Sequence, residues 1–496
     1  MTRPTAVPSI EIAPGLPITR ALTGLWQVAD LERDGNTLDP VRAARDLEPY
    51  VDAGLTTFDM ADHYGSAEVI AGELRRRRGG DAVQLLTKWV PEPGPVTKDD
   101  VRAAVDRARA RLGVERIDLL QFHTWAYDDP SWMDALSYLQ ELKGEGAIGA
   151  IGLTNFDAAH LRVACASGIE IATNQVAYSL LDRRAAGDLS VVCRQYGVGI
   201  LGYGTIAGGL LSERWLGQPE PDAATLETWS QMKYQRFVAA AGGWAPFQAL
   251  LAAVKRVAER LGVSMANVAS RYVLEQPQVV GVIVGARVGR SEHVADTVGL
   301  FSFELDAAAR VELEEALAGL TPIPGDSGDE YRKPPFLTAS GDLSHHLRGF
   351  PAPFEVRAGA GGHRRAFSGT VWEARAGFAR AIRQGDRVLV SGTTATHGER
   401  LIGGTDAEAQ THAVIDKVEG ALRSLGATLE DVVRTRLFVA RAEDAEAVTR
   451  AHGRRFGSIQ PANTLVLAGL VGDGYLVEME AEAVAVPQPT TRRVPL

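Results

Sequence analysis

The chain has 496 residues, 45% apolar and 23% charged, with a formal net charge of -10 at pH 7. That length exceeds one ordinary domain and calls for two or three, while the composition excludes wholesale disorder and fibrous repeats. A negatively charged chain with no long Lys/Arg run also excludes a nucleic-acid partner, which needs clustered cations.

The N-terminal stretch MTRPTAVPSIEIAPG carries no apolar core of signal-peptide length. No uninterrupted apolar run reaches the roughly 18 residues of a membrane span, so no membrane partner and a cytoplasmic location are expected. The two cysteines, Cys165 and Cys193, lie in separate apolar, helix-like segments, the pattern of buried thiols in a reducing compartment.

From ITRALTGLW onward, short β-rich runs alternate with amphipathic segments of helix length. The runs are TTFDMAD, VQLLTKWV, IDLLQFH, IGAIGLTN, IATNQVAYS, VGILGYGT and VVGVIVGA. Runs that are apolar on both faces, each followed by a covering helix, describe a parallel sheet. Eight such units in roughly 300 residues predict an α/β fold of the closed (β/α)8 TIM-barrel type over residues 1–325. Asp39 followed by Pro40 opens the first helix as cap and first-turn residue, and Gly54, Gly113, Gly146, Gly168, Gly197 and Gly262 mark helix ends. The stretch from Glu213 to Trp244 interrupts the rhythm after the seventh strand, where an insertion falls on the C-terminal rim and shapes a pocket.

Residues 326–360, rich in Pro, Gly, Ser and Asp, read as a linker. His345 and His346 in it lack Cys or acidic partners at ligand spacing, and no metal site is expected. From 361 to 490 the grammar changes to GDRVLVSGT, QTHAVIDKVEGALRSLGA, DVVRTRLFVA, DAEAVTRAHGRRFG, NTLVLAGL and YLVEMEAEAVAV. This is a smaller α+β module with helices on one face of a mixed sheet.

Barrel residues at the carboxyl ends of strands converge on one mouth. There the sequence places Asp59 and Tyr64 after strand two, Lys88 and Trp89 after strand three, and His123 and Trp125 after strand four. An ammonium pointing into a barrel mouth needs a partner, and Asp59 supplies one. Lys88 beside a phenol stabilises the phenolate, pulling the tyrosine below its usual value of about 10, so that Tyr64 can act as a general acid. A neutral His123 donates a hydrogen bond to the same substrate oxygen. The hydride comes from a cofactor, since no side chain supplies one. The competing reading makes each of these a group that satisfies a local bond at a strand end. Asp62 and His63 read equally as turn-forming or capping groups.

These residues, in FDMADHYG, LLTKW and QFH, resemble the Asp-Tyr-Lys-His tetrad of the aldo-keto reductase family, and the resemblance covers roughly residues 15 to 325. It implies reduction of aldehydes and ketones with NADPH. It also implies cofactor contacts from Thr154 and Asn155 in GLTNF, Gln175 in NQVAYS, and Tyr203 and Gly204 in GYGTIAGG, with Tyr203 stacked on the nicotinamide. GYGTIAGG follows a barrel strand and does not open a βαβ unit, which excludes a Rossmann fingerprint. Arg287 and Arg290, just past strand eight, suit the 2′-phosphate of NADP. Asp296 either belongs to the same cofactor site or, with Glu292, pairs with these guanidiniums at the surface. Thr297 stands near where the family often has an adenine-contacting Asn. Trp26, Trp89, Trp125 and Trp244 form candidate aromatic walls for a substrate, and Trp244 reads equally as a space filler.

The C-terminal module, through GDRVLVSGTTAT, Gln410 and its helix, LGATLEDVVRTRLFV, PANTLVLAGL and YLVEMEAEAVA, resembles the RidA family, also called YjgF. The resemblance implies a homotrimer with a pocket for small molecules, often enamines and imines. Asn463 stands in PANT where catalytic members carry an arginine, so neither the fork nor the charge for a substrate carboxylate is present. Glu478 matches a water-orienting acid and reads equally as a solvent-facing strand residue. Together the two resemblances imply a reductase acting on a carbonyl, or on an imine kept close by the tethered module. The alternative is an NADP-binding sensor with a ligand-binding output domain.

Overall fold

The computed structural model describes residues 6–32, 36–290, 293–338 and 349–485. Glu292, His345 and His346 lie outside them. Eight parallel strands form a closed barrel: Ala21–Gly24, Thr57–Asp59, Gln84–Trp89, Ile117–Phe122, Ile148–Thr154, Ile171–Ala177, Gly199–Tyr203 and Val279–Gly285. Each pairs with the next in sequence, and the last closes on the first through Val282 opposite Ala21. Successive side chains in a strand face opposite ways. Thus Leu22, Leu86, Leu119, Ala150, Leu201 and Ile283 fill the lower interior, while Trp89, Phe122, Ile151 and Leu153 pack outward beneath the helices. A hairpin of Ser9–Ala13 and Leu16–Thr19 packs Ile10, Ile12 and Leu16 against that lower layer and closes the bottom. Polar chemistry is left to the other end.

The expected helix ends are found. Asp39 Oδ1 accepts the Val41 amide and Pro40 is the first helical residue of Pro40–Asp52. Gly113 and Gly262 adopt the left-handed conformation at their helix ends, where a side chain would be strained. The rim insertion is more ordered than its composition suggests, and it contains the helix Trp229–Ala240.

The C-terminal sheet has seven strands in the spatial order Glu355–Ala358, Arg364–Phe367, Ala381–Gln384, Arg387–Thr394, Val477–Val484, Val432–Val439 and Ala462–Leu467. All neighbours are antiparallel except the last pair. The helices Ala407–Ser424 and Ala445–Phe456 bury Val414, Val418, Leu422, Val448 and Phe456 in its core.

Two parts of the expected linker are structural. Glu355–Ala358 is an edge strand of this sheet, and the short helix Asp329–Arg332 is buried against the barrel. Both lie in stretches whose Pro, Gly and Asp content masks short elements held by tertiary contacts.

The domains meet through polar contacts. His160 Nδ1 lies 2.6 Å from Asp157 and Nε2 lies 3.0 Å from Asp416 in the C-terminal domain. Within the C-terminal domain Arg455 supports Asp416 and bonds Glu419, while across the seam Arg162 bonds Asp406 and Arg454 pairs with Asp188 and Asp326. The helix Ala407–Ser424 comes so close that a Cβ on Gly420 would lie 2.4 Å from the Asp128 carbonyl. Among the described residues no single helix is long and apolar enough to cross a membrane.

Candidate active site

Above the apolar layer, inward positions on consecutive strands converge. Lys88 Nζ lies 2.6 Å from Asp59 Oδ2 and donates to the Met60 carbonyl at 2.9 Å, with both charged groups buried. Asp59 Oδ1 accepts from Gln121 Nε2 at 2.9 Å and from Gln175 Nε2 at 2.7 Å, and Gln175 also donates to Gln121 Oε1 at 2.7 Å. Taking two charges out of water costs several kcal/mol each, and only good geometry with further hydrogen bonds offsets it. Here the carboxylate receives three donors. Burial pulls the Lys88 ammonium below its ordinary value, while Asp59 opposes that shift.

Lys88 Nζ is 5.2 Å from the Tyr64 ring centroid, which brings three of the four expected residues into one group. His123 follows the strand that carries Gln121, its amide bonded to the Trp89 carbonyl. Burial first, and then the Arg332 guanidinium, hold its imidazole well below the usual range, so it is neutral. Its Nδ1 lies 3.3 Å from the Thr154 carbonyl, and its Nε2 is buried with no partner. A carbonyl only accepts, so this contact places the proton on Nδ1 and leaves a lone pair on Nε2. The expected donor role needs the other tautomer, with this long contact given up.

The cofactor candidates sit at the same end. Thr154 Oγ1 donates to the Gln175 carbonyl at 3.2 Å. Asn155 adopts φ 60°, a strained backbone of the kind concentrated at functional sites, and its Oδ1 accepts from Tyr203 Oη at 2.8 Å. Gly204 has φ 72°, and a Cβ there would lie 1.7 Å from Tyr234 Oη. Gln175, expected as a carboxamide contact, spends its amide nitrogen on Asp59 and Gln121. Arg287 and Arg290 are exposed before the helix Val294–Gly299. Asp296 is engaged elsewhere, accepting from Ser264 Oγ at 2.9 Å and Asn267 Nδ2 at 3.1 Å.

The tryptophans divide. Trp26 meets Tyr64 edge-on at 4.8 Å and Trp229 at 5.7 Å, and Trp125 meets His123 at 4.7 Å, so these rings wall the mouth. Trp89 does not. Strand alternation turns it away from Lys88, and it packs on Phe122 in the outer core. Trp244 packs on Trp215 and Phe247 and donates its indole N–H to the Gln218 carbonyl, the space-filling alternative.

The sequence reading missed Lys233, Tyr331 and Arg332. Tyr331 lies 5.6 Å from the His123 ring, and Lys233 Nζ bonds its hydroxyl at 2.6 Å while lying 5.1 Å from the Tyr203 centroid. Arg332 donates to the carbonyls of Asn155 and Thr124, each at 2.6 Å. Gln121 was also missed, although a polar residue two positions before His123 on an inward-facing register was a usable signal.

In the C-terminal domain Asn463 Nδ2 donates to Thr435 Oγ1 at 2.9 Å. Glu478 is half-buried, and its carboxyl is raised by burial and by Glu480. Cys165 and Cys193 are free thiols, pushed up to about 12 by burial. No group of three or more potential metal ligands occurs among the described residues.

The sequence model of the aldo/keto reductase family matches residues 22–318, and that described as endoribonuclease L-PSP matches residues 370–485. An uncharacterised protein of Streptomyces coelicolor is 43% identical over 121 residues, 24% of this chain and 90% of that protein. The NADH-specific methylglyoxal reductase of Escherichia coli is 27% identical over 290 residues, 53% of this chain and 85% of its own. The solved glycerol dehydrogenase AKR11B4 of Gluconobacter oxydans superposes with a TM-score of 0.52 at 23% identity, covering 66% of this chain and 98% of that one, a likeness of fold. The C-terminal part carries the RidA fold, and the chain, an NAD(P)H-dependent oxidoreductase, belongs to the aldo/keto reductase family.

Proposed function

We propose that the chain reduces the carbonyl group of a small metabolite with NADPH, Tyr64 acting as general acid. The observation that carries this reading is the buried Lys88–Asp59 pair, 2.6 Å apart, with its ammonium 5.2 Å from the Tyr64 ring. Bound nicotinamide supplies the hydride. Tyr64 hands its proton to the carbonyl oxygen, and the Lys88 ammonium stabilises the phenolate left behind. Asp59, held by Gln121 and Gln175, keeps that ammonium in place. His123 orients the substrate from the wall that Trp125 and Tyr331 complete. The residues fit a dinucleotide: a half-buried aromatic ring at Tyr203, a strained polar Asn155 and two exposed guanidiniums beyond the last strand. Lys233 lies over one face of the Tyr203 ring, and the ring's other face would hold a nicotinamide. The guanidinium fork of Arg287 or Arg290 matches a 2′-phosphate and favours NADPH over NADH.

The methylglyoxal reductase likeness supports a small aldehyde or ketone substrate. An imine is the second substrate class, supported by the fused RidA-like domain. That domain serves as an oligomerisation module, a trimer being the expected state. Leu389, Val466, Leu467 and Val484 on its sheet are exposed, and an association would cover them. Two free cysteines fit a cytoplasmic location. The test is NADPH oxidation with a panel of aldehydes, ketones and cyclic imines. Tyr64→Phe should abolish turnover while leaving cofactor binding intact, and full activity of that variant would exclude the proposed acid.

A further inference from the structure

A cleft open to solvent lies on the seam between the domains, with Trp132, Met133 and Val163 of the barrel facing Phe354 and Ile402 of the C-terminal side. Two of the polar groups in its lining are unusual. Thr370, nine-tenths buried, has a hydroxyl with no hydrogen-bond partner. Lys417, on the helix Ala407–Ser424, donates only to uncharged oxygens, the Thr396 carbonyl at 3.0 Å and the Thr396 hydroxyl at 3.1 Å. The charged groups around it are engaged elsewhere. Asp416 holds His160 and Arg455, Asp128 holds Arg423, His397 pairs with Asp134, and Glu373 receives Ser368, Gly369 and Arg380.

We propose that this cleft binds a small aldehyde or ketone covalently and reversibly, as an imine on Lys417. The amine nitrogen adds to the carbonyl carbon to give a carbinolamine. Loss of water, with an amine proton leaving on the hydroxyl, forms the C=N bond, and the reverse reaction releases the carbonyl compound with no oxidant or reductant. Thr370 supplies the hydrogen bond that a carbonyl or carbinolamine oxygen needs, its hydroxyl having no partner in the protein. Burial and Arg380 lower the Lys417 amine to about 7, so roughly half is free base at neutral pH, against less than about one part in a thousand for an ordinary lysine. Lysines desolvated in this way are the ones used for Schiff-base chemistry.

Reductive trapping tests this directly. The full chain is incubated at pH 7 with acetaldehyde and cyanoborohydride, and ethylation is followed by peptide mapping over its seven lysines. Lys417 should be labelled at least about tenfold faster than the exposed Lys98 and the partly buried Lys255, with a rate that levels off above neutrality while theirs continues to rise. Thr370→Val should slow labelling of Lys417 several-fold, and Lys417→Met should remove the fast phase. Labelling of Lys417 no faster than of Lys255 would show a lysine that only caps the Thr396 carbonyl and would overturn the proposal. Equal rates in Thr370→Val and wild-type protein would remove the cleft as the place where the carbonyl sits.

Discussion

Arg332 Nη1 donates to the backbone carbonyl of Asn155 at 2.6 Å, across 177 residues of sequence. The same guanidinium reaches the Thr124 carbonyl, so one side chain from beyond the barrel ties together the loops that follow strands four and five. Arg332→Ala would leave two buried carbonyls unsatisfied, each costing about 1–3 kcal/mol. It would also relieve the charge that opposes protonation of His123. Turnover should fall, and the acidic limb of the pH–rate profile should move to higher pH. Arg332→Lys keeps the charge but loses the fork, so it should lower turnover while leaving that limb in place. A steady-state pH profile of both variants checks the distinction.

The Asp59–Lys88 pair predicts a separation of stability from chemistry. Lys88→Met leaves a buried carboxylate with two amide donors and no counter-charge, which should cost about 3–5 kcal/mol of stability. Tyr64→Phe removes a hydroxyl from a half-buried ring and should leave stability within about 1 kcal/mol. Both should be inactive. Urea unfolding beside the activity assay tells them apart.

The barrel was legible because its strands are apolar on both faces and its chemistry lies on short local motifs such as FDMADHYG and LLTKW. Lys88 and Trp89 show the limit of reading positions near a strand end together: adjacent residues face opposite ways, and only register against Gln121 and Phe122 decides which enters the mouth. Arg332, Tyr331 and Lys233 were illegible for a different reason. They come from a Pro- and Gly-rich connection and from a rim insertion, and nothing local marks a residue bonded to a group 98 to 208 positions away. Glu355–Ala358 likewise became a strand only through pairing with Arg364–Phe367.

Gly328 has φ 84°, and a Cβ there would lie 2.0 Å from the Asn155 carbonyl. Gly328→Ala therefore meets both backbone strain of about 1–2 kcal/mol and a clash with the residue proposed to hold the nicotinamide. The Michaelis constant for NADPH should rise, and a fluorescence titration of cofactor binding should show the same loss.

The segment carrying Gly328 and Arg332 is held from the C-terminal domain as well as from the barrel. Arg454 of the C-terminal domain pairs with Asp326, and Arg184 bonds the Asp326 carbonyl at 2.6 Å and Glu330 Oε2 at 2.8 Å. Arg454→Ala should loosen this wall, raising hydrogen exchange over residues 325–333 and lowering turnover several-fold although the substitution lies in the other domain.

Acid should undo the domain seam. His412 is buried with an unpartnered Nδ1, and burial lowers it to about 3, helped by Arg455 and His160. The unfolded chain therefore binds a proton near pH 6.5 that the folded chain refuses. Stability from this group is fully present above about pH 6.5 and is lost as the pH falls from there toward 3, at up to about 1.4 kcal/mol per unit. His160, raised by Asp157 and Asp416, works in the opposite sense: its contribution is full below pH 6.5 and fades as pH rises through its folded value. Two histidines of opposite sign on one seam predict a stability maximum whose acid side belongs to His412. Replacing it by Gln should flatten the loss between pH 6.5 and pH 5 measured by urea unfolding, whereas His160→Gln should take the counter-charge from buried Asp157, leave Asp416 with Arg455 alone, and weaken the protein.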